Sequence, residues 1–415
     1  MLDNQRIANF IAEKRRSKGL TQQQVADELH VSFQAVSKWE RGVSYPNIEL
    51  LFMLSRLLGV TTDEILNAKD ADDIGLTYEK VGVDVTHTNA IKRDIKLCLD
   101  SSNPRILNSL APFASLYDIK YPEIVNPILV LKSEEPGSKQ HLAIKYGYTE
   151  SICHDMVNHL VNDIVVMGAR PLAILDTIVC GKAEKDTILS LIKGIAEACR
   201  ANDCDLVGGE LSVQPGVVEK GVYVLTTSIA GIVDRDNIIN GSKIKQGDKL
   251  LCLSSNGLHT NGYSLVRHLM ELMPHIANER VGSESFLDAV MKPHTPYYPA
   301  LKNILGNPMV HGIAHVTGGG IEASLARIIP QELKASIDLS QIEVPLIFSY
   351  LKSNGNIADY EMLKTFNCGV GLIVIVAKEA AKQLEIFLSK YSNCYVLGEI
   401  REGSSSVDFT KQLRW

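Results

Sequence analysis

The first 66 residues carry apolar positions at the spacing of short amphipathic helices. Thr21 can cap a helix because its side-chain oxygen accepts a backbone N–H, whereas Gly19 and Gly42 are suited to ending helices. The pattern predicts helices over 22–29 and 33–40, joined by a tight turn. Two short helices in this arrangement form a helix-turn-helix unit. Its predicted buried face consists of Val25, Ala26, Leu29, Val31, Val36 and Trp39.

From Tyr78 onward, apolar runs of strand type alternate with helical ones. In the first half these runs are 127–131, 152–166, 173–179, 187–201, 205–208 and 221–233. In the second half, which starts near Ile238, they are 249–253, 264–272, 313–316, 321–329 and 371–376. The alternation predicts an α/β or α+β fold with two lobes of similar size. We therefore expect a multi-domain chain with an all-α bundle at 1–66, a polar linker at 67–77 and lobes at 78–236 and 237–415.

Composition limits the classes of protein that fit. The chain has 415 residues, of which 45% are hydrophobic and 22% charged, as expected of a soluble globular protein with more than one domain. The formal net charge of -6 means that contact with nucleic acid requires a local basic face. The N-terminus lacks the pattern of a signal peptide, and no long apolar run suggests a membrane span, so cytoplasm is the expected location. Eight cysteines without a C-x-x-C pair are typical of reduced structural thiols.

The second helix of the N-terminal unit presents polar groups away from its apolar face. Its predicted DNA-contacting residues are Gln34, Ser37, Lys38 and Arg41, with Gln34 the best candidate for a base contact. Gln22 and Gln23 begin the preceding helix, where backbone amides and the positive helix end favour phosphate. The basic residues Lys14, Arg15, Arg16 and Lys18 would assist them. The alternative interpretation is a solvated helical surface.

Three carboxylates of the first lobe lie in apolar or glycine-rich surroundings. They are Asp155, Asp163 and Glu210, and an unpaired carboxylate in such surroundings is costly. Magnesium between carboxylates and a polyphosphate would satisfy them, because Mg²⁺ keeps several waters and takes few protein oxygens. Alternatively, each accepts backbone N–H bonds at a turn. The loop 133–139 adds two glutamates, a hydroxyl and Lys139 around Gly137, a composition suited to phosphate and metal.

Glycine-rich blocks mark the second lobe. Gly318, Gly319 and Gly320 permit close backbone approach to a ligand and then open a helix whose N-terminus attracts anions. Asn367 begins a similar block before an apolar strand. His259 and His315 are candidates for proton transfer near neutral pH, although an isolated histidine more often has a structural role.

Two stretches resemble known families. The sequence TQQQVADELHVSFQAVSKWERGVSYPNIELLFMLSRLLGVTTDEIL is similar to the repressor-type helix-turn-helix domain of the Xre/Cro/CI family. This resemblance implies DNA binding, usually as a dimer on a two-fold operator.

The chain from Tyr78 to about Glu399 resembles phosphoribosylformylglycinamidine cyclo-ligase, the aminoimidazole ribonucleotide synthetase of purine synthesis. The resemblance is carried by YEKVGVD, DMVNHLVNDIVVMGARPLAILD, KGIAEACRANDCDLVGGE, INGSKIKQGDKLLCLSSNGLHTNGYSLVR, IAHVTGGG and TFNCGVGL. It implies a dimer of two-lobed α/β subunits. ATP with Mg²⁺ phosphorylates the formyl amide oxygen of the substrate, a purine intermediate, before a nitrogen closes the imidazole ring and expels phosphate.

The resemblance also implies roles for individual positions. Those with catalytic roles are Asp163, Glu210 and His259. Those for the cofactor are Glu134, Ser138, Lys139, Asp155 and Asn162, and the metal ligands are Glu134, Asp163 and Glu210. Those for the substrate are Asn261, His315, Thr317, Gly318, Gly319, Gly320 and Asn367.

Three loops depart from the family pattern. The usual S-G-T-D-G-V-G-T-K corresponds to LKSEEPGSK at 131–139, where Glu135 adds negative charge beside polyphosphate. The usual glycine-rich loop corresponds to SLAPFASL at 109–116, and T-A-E-M-P-G corresponds to LSVQPG at 211–216. Two hypotheses follow. In the first, the chain is a working cyclo-ligase, or a close variant, whose additional domain ties its activity to DNA. In the second, it is a transcription regulator whose inherited enzyme body senses a purine intermediate or a nucleotide.

Overall fold

The computed structural model describes residues 3–69, 78–99, 103–108, 113–404 and 406–415. The chain divides into two compact units, Met1–Gly82 and Val83–Trp415. Most of the expected linker 67–77 and the first half of the loop 109–116 lie outside the described residues. Within the described residues, no helix combines the length and the apolar character that a membrane span requires.

In its described residues the N-terminal unit is a bundle of five helices, which confirms the predicted helical class. They are α1 (Asn4–Ser17), α2 (Gln22–Glu28), α3 (Phe33–Glu40), α4 (Ile48–Leu58) and α5 (Thr62–Asn67). Helix α2 begins with a capping box, because Thr21 Oγ1 accepts from the Gln24 amide at 3.1 Å while Gln24 Oε1 accepts from the Thr21 amide at 2.8 Å. Ser32 caps α3 by accepting from the Ala35 amide at 3.3 Å. Both predicted caps are therefore present.

An internal ion pair fixes the first three helices of this unit. The Arg15 guanidinium on α1 donates to both carboxylate oxygens of Glu40 on α3, at 2.5 and 3.0 Å. Gln22 on α2 donates to the same carboxylate at 2.7 Å. The side chains of Arg15 and Gln22, which the sequence pattern assigned to the phosphate-binding surface, are thus directed inward, because the largely buried Glu40 carboxylate needs donors.

The second unit begins with a four-stranded sheet and its helices. The elements are α6 (Val85–Cys98), β1 (Pro127–Glu134), α7 (Lys139–Tyr146), α8 (Thr149–Val165), β2 (Arg170–Cys180), α9 (Lys185–Ala201), β3 (Asp205–Val213) and β4 (Tyr223–Asp234). The strand order is β1-β4-β2-β3, with β2 and β3 parallel and the other pairs antiparallel. Helix α8 packs against β1, β4 and β2, and α9 packs against β3. Leu129, Leu131 and Leu175 remain exposed on these strands.

The rest of this unit is built around a six-stranded sheet. The elements are β5 (Lys249–Ser254), α10 (Tyr263–Leu272), β6 (Arg280–Val281), β7 (Glu284–Ser285), α11 (Phe286–Met291), α12 (Tyr298–Leu301), β8 (Val310–His315), α13 (Gly320–Ala326), β9 (Leu333–Asp338), α14 (Leu346–Gly355), α15 (Asp359–Thr365), β10 (Val370–Val376), α16 (Ala381–Leu388), β11 (Cys394–Glu402) and β12 (Ser406–Thr410). The strand order is β12-β9-β11-β5-β10-β8, while β6 and β7 form a separate hairpin. All seven residues of β10 are buried, as expected for a strand covered on both faces.

One continuous hydrophobic core joins the two sheets of the second unit. Helix α8 contributes most of its length to this core, with twelve of its residues buried. The eight cysteines are free thiols, and all except Cys98 are buried, in agreement with the predicted structural role. The overall class is therefore a helix-turn-helix bundle followed by an α/β body with mixed sheets.

Candidate active site and nucleic-acid interface

Helix α8 presents four polar residues toward one region of the body. Asp155, His159, Asn162 and Asp163 are spaced by three or four residues or adjoin one another, so they lie on one side of the helix. The first three are buried, and the Asp163 side chain is 22% exposed. The predicted residues of α8 are thus gathered in a single place.

Asp155 forms an ion pair with Lys139 in the interior. Lys139 Nζ lies 2.6 Å from Asp155 Oδ2, and both side chains are fully buried. Lys139 also donates to the carbonyls of His259 and Lys292, at 3.1 and 2.7 Å, which uses its three N–H groups. Burial raises the pKa of Asp155 to about 6, although Lys139 opposes the shift, and burial lowers the pKa of Lys139. Both residues, predicted to hold a cofactor, are therefore occupied in fixing the fold.

The segment 292–297, between α11 and α12, is tied to α8 by polar side chains. Asn158 Nδ2 donates to the His294 carbonyl at 2.6 Å, and Asp155 accepts from the His294 amide at 2.8 Å. Asn162 donates to the Thr295 carbonyl at 2.9 Å and accepts from the Tyr297 amide at 3.0 Å. The amide of Asn162 orients this segment, and its predicted role at the cofactor stays a prediction.

Four histidines and one carboxylate meet beside α8, and we refer to them as the histidine–aspartate cluster. Its members are His159, Asp163, His259, His294 and His315. His315 Nδ1 lies 2.7 Å from Asp163 Oδ1, and His315 Nε2 lies 2.9 Å from His294 Nε2. The rings of His294 and His259 are stacked with centroids 3.9 Å apart. The structure thus brings the predicted residues Asp163, His259 and His315 together.

Burial sets the protonation of the cluster. It lowers the pKa of His159 to about 4, and it lowers the pKa of His259 and of His294 well below the ordinary value. For Asp163, burial alone would raise the pKa, but the hydrogen bond with His315 and nearby positive charge outweigh it and hold the pKa below the usual range. At neutral pH the cluster therefore contains an ionised carboxylate and mainly uncharged imidazoles.

His259 has an unusual backbone. Its φ is 58°, in the left-handed region that residues other than glycine seldom adopt. The ring is fully buried, and its Nε2 lies 3.2 Å from Thr295 Oγ1. The neighbouring Thr260 Oγ1 lies 3.1 Å from His159 Nδ1, so the loop after β5 contacts α8 through this side chain. Such strain is tolerated where surrounding contacts determine the conformation.

Lys132 joins the end of β1 to the cluster. Its Nζ lies 3.0 Å from Glu134 Oε2 and 3.4 Å from Asp163 Oδ2. Ser138, which precedes α7, makes no side-chain cap hydrogen bond there and is partly buried. The predicted residues Glu134 and Asp163 therefore share one cation, a local charge arrangement that also suits a bound metal.

The glycine turn after β8 lies against the segment 363–366. A Cβ on Gly320 would lie 1.9 Å from the Leu363 carbonyl oxygen, so only glycine fits there. At Gly318 the nearest heavy atom to a Cβ would be Asn261 Oδ1, at 3.5 Å. The predicted substrate residue Asn261, in the loop after β5, therefore lies beside Gly318 in the turn that follows His315, where Gly319 has a φ of 89°.

Asn367 has a structural environment. Its Oδ1 accepts from Ser255 Oγ at 2.7 Å and from the Gly369 amide at 2.9 Å, while Nδ2 donates to the Gly257 carbonyl at 2.9 Å. The residue is 2% exposed. Its hydrogen bonds join the loop after β5 to the loop before β10, so it positions the loop of His259, and its predicted contact with the substrate stays a prediction.

Glu210 lies apart from the histidine–aspartate cluster. It is on β3, at the opposite edge of the sheet from β1. These two edge strands are roughly 14 Å apart at the usual strand spacing. Its side chain is 62% exposed and lies 3.4 Å from Lys92 Nζ. Within the described residues, Glu210 is therefore not assembled with the other two predicted metal ligands, Glu134 and Asp163.

Glu210 lines a cavity of the body. The cavity has a volume of about 1060 Å³ and lies between α6, the residues 113–117 and the sheet. Asp176, also on its wall, is 5% exposed, and burial raises the pKa of this carboxyl to about 7. A cavity of this size can hold a nucleotide-sized ligand.

The sequence pattern did not single out His159, His294 or Lys132. His159 precedes Asp163 by four residues on α8, so helical periodicity indicates that the two share a face. His294 and Lys132 have no such local signal, because their proximity to the cluster depends on the packing of distant segments.

The recognition surface of the N-terminal unit follows the prediction more closely. Gln34, Lys38 and Arg41 are exposed on or after α3, and Ser37 is half-buried. Arg41 Nε donates to the Ser37 carbonyl at 3.2 Å, and Gln23 donates to Asp27 at 2.7 Å. Gln34 and Lys38 are thus the residues most available to a partner on this helix.

Sequence profiles of three domain families match the chain. The profile described as "Helix-turn-helix" matches residues 11–65. Those described as "AIR synthase related protein" match residues 126–233 for the N-terminal domain and 245–410 for the C-terminal domain. The N-terminal unit is therefore a helix-turn-helix domain, which implies DNA binding.

Individual proteins resemble the body over nearly their whole length. A phosphoribosylformylglycinamidine cyclo-ligase from Methylobacillus flagellatus is 37% identical over 328 residues, which cover 79% of this chain and 94% of the relative. The structure resembles a thiamine-monophosphate kinase from Stenotrophomonas maltophilia, with a TM-score of 0.56 and 17% identity, covering 79% and 96% of the two chains. It also resembles the hydrogenase maturation protein HypE in complex with ATP, with a TM-score of 0.57 and 17% identity, covering 79% and 92%. These two structural likenesses establish the fold.

Proposed function

Because the chain belongs to the phosphoribosylformylglycinamidine cyclo-ligase family, an ATP-dependent ligase family, we propose that its body converts formylglycinamidine ribonucleotide to aminoimidazole ribonucleotide. The observation that carries the proposal is the 37% identity to a cyclo-ligase over 94% of that relative. The meeting of Asp163, His259 and His315 in one cluster supports it, since these positions match the family motifs. The cofactors of the proposed reaction are ATP and Mg²⁺.

In the proposed mechanism, Asp163 orients and polarises His315. The ionised carboxylate accepts from His315 Nδ1, which leaves Nε2 as the nitrogen that can exchange a proton. Ring closure requires removal of a proton from the attacking nitrogen, and an imidazole held by a carboxylate suits that task. We assign the removal of this proton to His315 and His259, and we assign Asp163 the role of a positioning residue.

The oxygen atoms of Glu134 and Asp163 fit Mg²⁺. Hard cations prefer carboxylate oxygens. The Lys132 ammonium already lies close to both carboxylates, so the two share one positive charge. Magnesium bound there would neutralise the polyphosphate of ATP. Lys132, 38% exposed at its side chain, would assist by contacting phosphate.

The exposed leucines of the four-stranded sheet support a homodimer, since an apolar sheet face is commonly covered by another subunit.

The test is the formation of ADP and aminoimidazole ribonucleotide by the purified full chain with substrate, ATP and Mg²⁺. We expect both products in equal amounts, with no ADP when the substrate is omitted. Absence of both products, under conditions in which a cyclo-ligase of the family turns over, would overturn the enzymatic proposal.

A second candidate function is favoured by the loop 131–139. Glu134 and Glu135 stand where the family pattern has Asp and Gly, and the second of these is exposed. A negative charge beside polyphosphate weakens ATP binding. The body would then act as a sensor that binds a purine intermediate without turnover and changes the affinity of the N-terminal unit for DNA. Substrate binding by calorimetry, together with a shift in operator affinity and no ADP, is the result that distinguishes this function.

For the N-terminal unit we propose sequence-specific binding to a two-fold operator. Gln34→Ala is expected to weaken binding to the selected site by about 1–3 kcal/mol while non-specific binding stays the same, because Gln34 reads a base. Lys38→Ala is expected to weaken both kinds of binding and reduce the salt dependence by about one phosphate contact. Selection of DNA fragments by the full chain would supply the site, and fluorescence anisotropy at several salt concentrations would measure affinity.

Lys69→Ala is the matched control, since Lys69 is exposed beyond α5 and outside the helix-turn-helix. Equal affinity of the Gln34 and Lys69 variants for the selected site would remove Gln34 from the interface.

A further inference from the structure

Three buried imidazoles converge within the histidine–aspartate cluster. His259, His294 and His315 each offer a ring nitrogen, and these nitrogens lie within 4.8 Å of one another. His259 and His294 are fully buried, and His315 is 6% exposed. Several ionisable side chains are rarely buried together unless they share a partner.

The hydrogen bonds of the cluster leave ring nitrogens unsatisfied. Asp163 is ionised and only accepts, so His315 Nδ1 donates to it and His315 Nε2 carries a lone pair. His294 Nε2 must then donate to that lone pair across 2.9 Å, which leaves a lone pair on His294 Nδ1. The Nδ1 atoms of His294 and His259 are buried and have no hydrogen-bond partner. Each such atom costs about 1–3 kcal/mol when it is left unpaired.

The chemistry of these donors favours a borderline transition metal over Mg²⁺. Neutral imidazole nitrogen is a common ligand of Zn²⁺, Co²⁺, Ni²⁺ and Cu²⁺, whereas Mg²⁺ prefers oxygen. The pair Lys139 and Asp155 is neutral overall, and Lys132 balances only one of the two carboxylates Glu134 and Asp163, so a net negative charge remains beside the cluster.

The spacing is compatible with coordination after small ring rotations. Zinc–nitrogen bonds of about 2.0–2.1 Å place tetrahedral ligands on the order of 3.3 Å apart. The two Nε2 atoms of His294 and His315 are 2.9 Å apart, and coordination through both moves the ring proton of His294 from Nε2 to its Nδ1. The contact of Asp163 with His315 Nδ1 reproduces the carboxylate–histidine–metal arrangement in which the outer carboxylate fixes the ring.

We propose that His259, His294 and His315 form a binding site for a divalent transition-metal ion of the Zn²⁺ type, with Asp163 as the carboxylate that orients His315. Three protein ligands leave a fourth position for water or another exchangeable ligand. The partly exposed side chains of Asp163 and Lys132 mark the side from which the ion enters. The site is distinct in its donors from the oxygen ligands that Mg²⁺ requires. A metal ion on His315 Nε2 would occupy the nitrogen to which the proposed mechanism assigns proton exchange, so a bound ion is expected to inhibit turnover, and the inference does not rest on turnover.

The test uses the full chain without a histidine affinity tag, freed of metal by a chelator. Titration with Co²⁺ alone is expected to give the intense visible absorption of four-coordinate cobalt, saturating at a single ion per chain, and Zn²⁺ is expected to displace it. Excess Mg²⁺ should leave the spectrum unchanged. A weak six-coordinate spectrum, or no spectrum, would overturn the proposal.

Variants locate the ion. His294→Gln and His259→Gln are each expected to lower the affinity for Zn²⁺ by more than the roughly 10–100-fold that an outer-shell partner contributes, and Asp163→Asn by about 10–100-fold. His154→Gln is the matched control, because His154 belongs to a separate, more exposed group with Glu150 and Glu197. Loss of binding in the His154 variant, with full binding in the other two, would place the ion elsewhere and refute the site.

A variant that fails to fold would mimic the loss of a ligand. His311→Gln therefore serves as a second control, since His311 is a buried histidine paired with Asp248 at 2.7 Å outside the cluster. Circular dichroism of each metal-free variant, and the rise in Tm on adding Zn²⁺, separate folding from binding. A rise in Tm that persists in the folded His294 and His259 variants counts against the proposal.

Discussion

Replacing Asp163 by asparagine is expected to lower kcat for formation of aminoimidazole ribonucleotide by about 10²–10⁴-fold, the usual contribution of an oriented acid–base group. Asparagine keeps the size of the side chain and can still accept from His315 Nδ1, but it removes the charge that Lys132 and the imidazoles face. KM for the substrate is expected to change far less than kcat, because Asp163 acts through His315.

The measurement is steady-state and single-turnover kinetics of the full chain. Asp186→Asn is the matched control, since Asp186 is exposed in the first turn of α9 and removed from the cluster by sequence and fold. An Asp163 variant with normal kcat would show that the carboxylate has no part in the reaction.

Replacing Lys139 by methionine is expected to lower the free energy of unfolding of the body by about 3–5 kcal/mol. The variant leaves the fully buried Asp155 carboxylate without its counter-ion, and an unpaired buried charge is strongly destabilising. The carbonyls of His259 and Lys292 lose a donor as well. The double variant Lys139→Met with Asp155→Leu removes the stranded charge, so it is expected to recover much of the loss.

The pH dependence of the Lys139 variant has a definite sign. The pKa of Asp155 is already raised to about 6 with Lys139 present, and loss of the lysine raises it further. The folded state then binds more protons than the unfolded state, so stability is retained below the unfolded pKa and is lost as pH rises through the folded pKa. We therefore expect the variant to be closer to the parent protein in stability at pH 5 than at pH 8.

Unfolding can be assigned to the body because the chain has two tryptophans. Trp39 lies in the N-terminal unit and Trp415 in the second, so a Trp39→Phe background leaves a fluorescence signal from the body alone. Urea unfolding in this background measures the stability of each variant. A single variant as stable as the double variant at pH 8 would show that the ion pair does not restrain the fold.

The elements with strong periodicity were predicted well. The expected helices 187–201 and 264–272 correspond to α9 and α10, and the expected strand 371–376 corresponds to β10. In each case a single face or a whole run is apolar, and packing follows that pattern directly. Short elements such as α15 or the hairpin of β6 and β7 carry too few apolar positions to show a period.

The functional assignments were harder, because a buried polar residue has the same local sequence whether it binds a ligand or another segment. Lys139 and Asn162 are predicted to hold a cofactor, a role that stays a prediction, and the structure shows each bonded to a distant loop. His294 was not singled out, although it contacts two other histidines. The bonds of Lys139 and Asn162 span more than one hundred positions, and the contacts of His294 span 21 or more, so no local pattern encodes them.

The anchoring of the segment 292–297 to α8 has a consequence for how the body opens. Asn158 and Asn162 lie on α8, which packs against the four-stranded sheet. Their partners in the segment 292–297 belong to the half built on the six-stranded sheet. A hinge between the two halves at this point would expose those amides and break a continuous core. Amide hydrogens of α8 and β10 should therefore exchange with solvent at similar, slow rates, as members of one cooperative folding unit.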